Sequence, residues 1–154
     1  MTVLAAIRPD AWDLPLFLHI LGAITLVGGL ILAGTALAGA WSGAAPAASR
    51  LGYRALLLAA LPGWIVMRGA AQWIADKEGY TADKVKTPSW VDIGFITSEP
   101  GLLFLIAATV LAAMASRRAP EGGGRGQGRA AAVLVGLLIL AYCFTMWAMT
   151  TKPV

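Results

Sequence analysis

The chain has 154 residues, of which 58% are apolar and only 13% charged, and its mean hydropathy is +0.74. A water-soluble domain of this size needs far more polar surface to cover its core, so that class is excluded. The net charge of +4 does not signal nucleic acid, because the arginines adjoin apolar spans and no folded polar region presents them. A single cysteine, Cys143, excludes an internal disulfide.

Residues 1–13 are a short lead-in, with Trp12 placed as an interfacial aromatic. Leu14 to Trp41 then runs for 28 residues without a charge and holds the only histidine, His19. About 20 helical residues cross a hydrocarbon core about 30 Å thick, so this stretch spans with residues to spare. Its backbone polar groups must pair within the segment, which requires a helix. Ala36-Leu37-Ala38 resembles a leader cleavage site. However, Arg8 is offset by Asp10 and Asp13, and the apolar run exceeds the roughly 7–15 residues of a leader core, so a retained helix is expected. Gly22, Gly29, Ala33 and Ala36 recur at three-, four- and seven-residue steps and form a small-residue face suited to close helix contact. His19 lies one turn before Gly22, so it projects from the same side, into the bundle.

The next stretch, 42–54, reads as a loop with Pro46, Arg50 and Arg54, followed by a second span over 55–75. Pro62-Gly63 predicts a kink there. Trp64, Arg68 and Gln72 then follow at four-residue steps on one face. Residues 76–97 form a polar connection, and Ser98-Glu99-Pro100 reads as a helix start with Ser98 as N-cap. The third span, 98–116, is near the short limit for crossing and leans on Ile93–Ile96. Residues 117–129, with five glycines and four arginines, read as a flexible basic linker before the fourth span over 130–150. The expectation is an all-α, four-transmembrane-helix bundle, a single integral membrane domain over 1–154. The 41–54 and 117–129 connections hold six arginines and almost no acid. That places both termini and the 76–97 loop on the outer side.

This topology gathers His19, Arg68, Gln72, Glu99, Cys143, Met146 and Trp147 into one half of the bundle. Arg68 and Glu99 are the obvious ion pair, either as a structural contact or as a substrate clamp. Trp12, Trp73, Trp90 and Trp147 suit an interfacial belt, Met67, Met146 and Met149 suit gap-filling, and Cys143 suits an inert thiol. His19 stays open between a hydrogen-bonded core histidine and a ligand for haem or metal. One histidine and one cysteine cannot build a typical zinc or di-iron site within one chain. No zinc-protease motif, nucleophile elbow or phosphate loop is present, and no catalytic set is recognisable. A haem would use His19 with Met146 or Met67, a five-coordinate iron, or His19 of a second chain.

At Leu18-His19-Ile20-Leu21-Gly22, followed by Val27-Gly28-Gly29, the chain resembles the copper-resistance protein D-like group of small membrane proteins. That group includes uncharacterised integral membrane proteins and the haem-dependent membrane protoporphyrinogen oxidases. The resemblance implies a four-helix membrane bundle and matches His19 to the first-helix histidine that binds haem in the oxidases. Two positions depart from the pattern: Leu26 stands where many relatives have tryptophan, and no lysine lies inside a span.

The residues are compatible with three functions. The first is a non-enzymatic accessory or self-associating subunit of a membrane complex, in contact with the lipid bilayer and joined through the small-residue face. The second is a haem-binding redox protein using His19. The third is a small transporter or channel around Arg68 and Glu99.

Overall fold

The computed structural model describes residues 12–42, 46–80 and 87–151. The lead-in before Trp12, residues 43–45, residues 81–86 of the polar connection, the tail from Lys152 and the side chains of Ala40, Trp41 and Ser42 lie outside the described residues. The described chain is helical, and four helices are long and apolar enough to cross a membrane. Helix α1 is Asp13–Ser42; α2 (Pro46–Ala55), a π-turn (Leu56–Ala60) and α3 (Leu61–Glu78) form one continuous rod; α4 is Ser89–Arg118 and α5 is Arg125–Thr151. The chain is a multi-pass, all-α membrane bundle.

Helix α1 is the centre of the packing, lying against α3, α5 and α2, while α4 lies against α5 and α2. The core is layered from Leu26, Leu30 and Leu37 of α1, Leu56 of the π-turn, Leu105 of α4 and Val135 of α5, all fully buried. The outward faces remain apolar, with Phe17, Ile24, Leu58, Ile65, Leu103 and Leu140 exposed. Such a surface is costly in water and is matched to hydrocarbon.

The small-residue face of α1 is spent inside the chain. A methyl on Gly22 would meet the backbone of Met67 and Gly63, and one on Gly29 would meet Ala60 N at 2.7 Å. Ala33 is fully buried on the same face and Ala36 is half-buried. Gly63 reciprocates from α3, where a methyl would lie 3.0 Å from Gly22 O. Two backbones in contact at paired glycines gain dispersion that larger side chains would prevent. At Gly22 and Gly29 the face expected to join copies of the chain therefore packs, within a single copy, on α3 and on the π-turn before it.

Four boundaries differ from the sequence reading. The expected 42–54 loop is helical from Pro46, because Gly52, Ala55 and Leu56 form a buried stripe while Arg50 and Arg54 stay exposed. Gly52 seats on Leu37, whose Cγ would be 2.6 Å from an added methyl. The expected kink at Pro62 takes the form of a π-turn. Leu61 N–H bonds to Leu56 O, five residues back, directly before the proline that cannot donate.

Ser98 is not an N-cap. Helix α4 starts at Ser89, Pro100 lies inside it, and Ser98 is buried with its hydroxyl donating to Phe95 O at 3.2 Å. The buried stripe Val91, Ser98, Gly101, Leu105, Ala108 continues through the proline, so packing extends the helix past a strong local stop signal. The true start has Asp92 in the first turn, where it suits the helix dipole, and Thr87 Oγ1 donates to its carboxylate at 2.6 Å. The linker 117–129 is also mostly helical, since α4 runs to Arg118, a 3₁₀ turn covers Ala119–Glu121, and α5 begins at Arg125. Gly122 and Gly124 turn the chain with φ of +75° and +82°, the left-handed region in which glycine is free of strain.

Candidate functional site

A cavity of about 320 Å³ lies between α1, α3, α4 and α5, at the end of the bundle where α3 and α5 finish. That volume is within the range of small-molecule sites. Its position follows from a change of partner along the rod at the π-turn. Below the π-turn α2 packs closely on α4, whereas above it α3 packs on α1 and touches α4 sparsely. Three polar contacts bridge the gap between α3 and α4. Trp64 Nε1–H donates to Ser98 O at 3.1 Å, Arg68 pairs with Glu99 at 3.5 Å, and the Arg68 guanidinium lies 4.6 Å from the centre of the Phe95 ring.

His19 and Met67 line this cavity from opposite helices, and His19 Nδ1 lies 3.0 Å from the Met67 carbonyl oxygen. A carbonyl oxygen only accepts, so Nδ1 carries the proton. In the neutral ring Nε2 then keeps its lone pair. Metal-ligating histidines are held in this way, with one ring nitrogen donating to a backbone carbonyl and the other free to ligate. The bond exists because Gly22, one turn further along α1, lets the two backbones close together.

Arg68 follows Met67 and lines the same cavity. One Nη donates to Gln72 Oε1 at 2.9 Å, and Gln72 Nε2 donates to Asp76 Oδ1 at 3.0 Å. This ladder at four-residue steps leads from the arginine towards the polar end of α3. Arg68 is 21% exposed and its partner Glu99 is 67% exposed, so the pair is open on the carboxylate side. Gln72 and Glu99 hold the arginine without lining the cavity.

From α5, Tyr142, Thr145, Met146 and Met149 complete the wall. Tyr142 is only 5% exposed, and its hydroxyl has no hydrogen-bond partner among the described residues. It rests beside Gly101, where an added methyl would approach the oxygen to 2.8 Å. An unpaired buried donor costs on the order of 1–3 kcal/mol, which a bound oxygen would recover. Towards the mouth stand Glu78, Tyr80 and Trp90. Desolvation, with the neighbouring Glu78 carboxylate adding to it, pushes the Tyr80 phenol above its ordinary pKa.

Of the residues that the sequence reading gathered into one half of the bundle, His19, Arg68 and Met146 line this cavity, and Met67, named there as an alternative haem ligand, lines it too. Four of that set, Gln72, Glu99, Cys143 and Trp147, do not line it. Cys143 and Trp147 face outwards, Trp147 stacking on Phe144 with ring centres 5.7 Å apart. Trp90, assigned to the interfacial belt, lines the cavity, whereas Trp73 is exposed with Lys77 Nζ 5.7 Å from its ring centre. Tyr142, Phe95 and Met149 were missed. Tyr142 and Met149 stand four residues before and three residues after Met146, so the helical repeat through Met146 was the available signal. Among the described residues no three histidine, cysteine or carboxylate side chains gather as a metal site. No family model matches the chain, and no curated protein or solved structure matches it.

Proposed function

We propose that this chain is a membrane-embedded haem-binding protein, with His19 as the iron ligand. The observation that carries this reading is the His19–Met67 hydrogen bond, which leaves Nε2 as a lone pair on a side chain that lines the cavity. The other residues suit the group. Met146 and Met149 offer thioethers from the facing helix, Arg68 offers a cation, and the remaining lining is largely apolar. When bound, the iron would supply one-electron chemistry, as haem does generally. The chain's own part is to fix the imidazole, exclude water with Leu26, Val27 and Ile74, and keep a guanidinium at the wall.

With both termini outside, the cavity opens towards the outer face. The six arginines of the opposite connections support that orientation. An accessory, self-associating role loses its motivating surface, since Gly22 and Gly29 are buried within one copy. A transport role keeps the Arg68–Glu99 pair, but Glu99 lies outside the cavity lining.

The test is an absorption spectrum of protein purified from haem-supplemented membranes, oxidised and then reduced. A Soret band that disappears in His19→Ala is the expected result. A flat visible spectrum from folded wild-type protein refutes the proposal.

A further inference from the structure

The geometry points to Arg68 as the anchor for a carboxylate of the bound molecule, so that the cavity selects an acidic amphiphile over its neutral ester. This inference rests on the haem reading above and concerns the porphyrin's acid side chains rather than its iron.

Arg68 has five N–H donors in a planar fork. One Nη is engaged by the Gln72 amide oxygen at 2.9 Å, and the other approaches Glu99 at 3.5 Å, well beyond the 2.7–2.9 Å of a strong charge-assisted bond. The fork is thus held in place but not saturated. The guanidinium carbon lies 4.6 Å from the centre of the Phe95 ring, a cation–π contact that uses no N–H. Glu99 is largely exposed and can keep or release the pair without leaving a buried charge. Arg68 adjoins Met67, whose carbonyl holds His19, so the anchor and the ligating histidine are set by consecutive residues of α3. The other charged residue on the wall, Glu78, lies ten residues further along α3, roughly 15 Å at the helical rise, too far to cancel the attraction at Arg68.

The experiment compares iron protoporphyrin IX with its dimethyl ester, titrated into detergent-solubilised wild type and followed by the Soret band, with His19→Ala subtracted as background. The diacid is expected to bind roughly ten- to a hundred-fold more tightly than the ester, the size of one charge-assisted hydrogen-bonding group. In Arg68→Gln the diacid falls to the ester's affinity while the ester is unchanged. Equal affinities for diacid and ester in the wild type overturn the anchor while leaving His19 as iron ligand. A retained preference in Arg68→Gln overturns it too. Binding of neither porphyrin with a His19-dependent band overturns the haem reading and the anchor with it. The wild-type comparison needs no variant to fold.

Discussion

Replacing Gly22 by alanine tests the link between the helix seam and the site. The added methyl would lie 2.8 Å from both Gly63 O and Met67 Cα, and it would also press on Met67 N. Ordinary carbon contacts need about 3.5 Å or more, so α1 and α3 must part by at least ~0.7 Å locally. None of the nearest atoms is the end of a flexible side chain, so the backbone itself has to move. Overpacking of this kind costs about 1–3 kcal/mol. The same displacement stretches the 3.0 Å His19–Met67 bond, one turn away, beyond useful hydrogen-bond range. Gly28→Ala is the control, because a methyl there meets nothing within 4 Å. Any gain in helix propensity is common to the two variants and cancels in their difference. Reversible unfolding in mixed micelles should place Gly22→Ala about 1–3 kcal/mol below Gly28→Ala. Nitrogen NMR of labelled histidine should show mixed tautomers in Gly22→Ala only. Equal stability of the two variants, with a single His19 tautomer in each, would refute the reasoning.

Two other substitutions probe the cavity and the turn. Tyr142→Phe removes a buried hydroxyl that has no partner, so the ligand-free protein should be unchanged or up to about 1 kcal/mol more stable by the same unfolding assay. A clear loss of stability would show that the hydroxyl is bonded in the folded chain. Gly124→Ala forces a side chain into φ of +82° and brings its methyl 2.7 Å from Ala115 O. That should cost about 1–3 kcal/mol and speed proteolytic nicking at the α4–α5 turn. Nicking at the wild-type rate would count against it.

The membrane class and the number of spans were legible in the amino-acid order alone. A charge-free run such as Leu14–Trp41 leaves its backbone one way to satisfy its hydrogen bonds in hydrocarbon, so composition and length decide the element. His19 beside Gly22, and Arg68 on the face of Trp64 and Gln72, could also be placed, because helical periodicity fixes which residues share a side. Element ends were less legible. Ser98-Glu99-Pro100 carries every local mark of a helix start, yet burial of Val91 and Ser98 outweighs a single missing N–H. The five glycines of 117–129 read as a coil, but three residues suffice once two of them adopt positive φ.

The tertiary structure alone decided what the small face of α1 contacts and which side chains the cavity collects. Periodicity says that Gly22 and Gly29 share a face but not whether the occupant is the α2–α3 rod or a second copy, since lipid drives neither contact. It places Tyr142 on α5 but cannot say that its hydroxyl lacks a partner, because that depends on what Gly101 and α3 put beside it. The π-turn before Pro62 is local, whereas the cavity lies where α3, unlike α2, packs only sparsely on α4, a relation between helices that no single segment encodes.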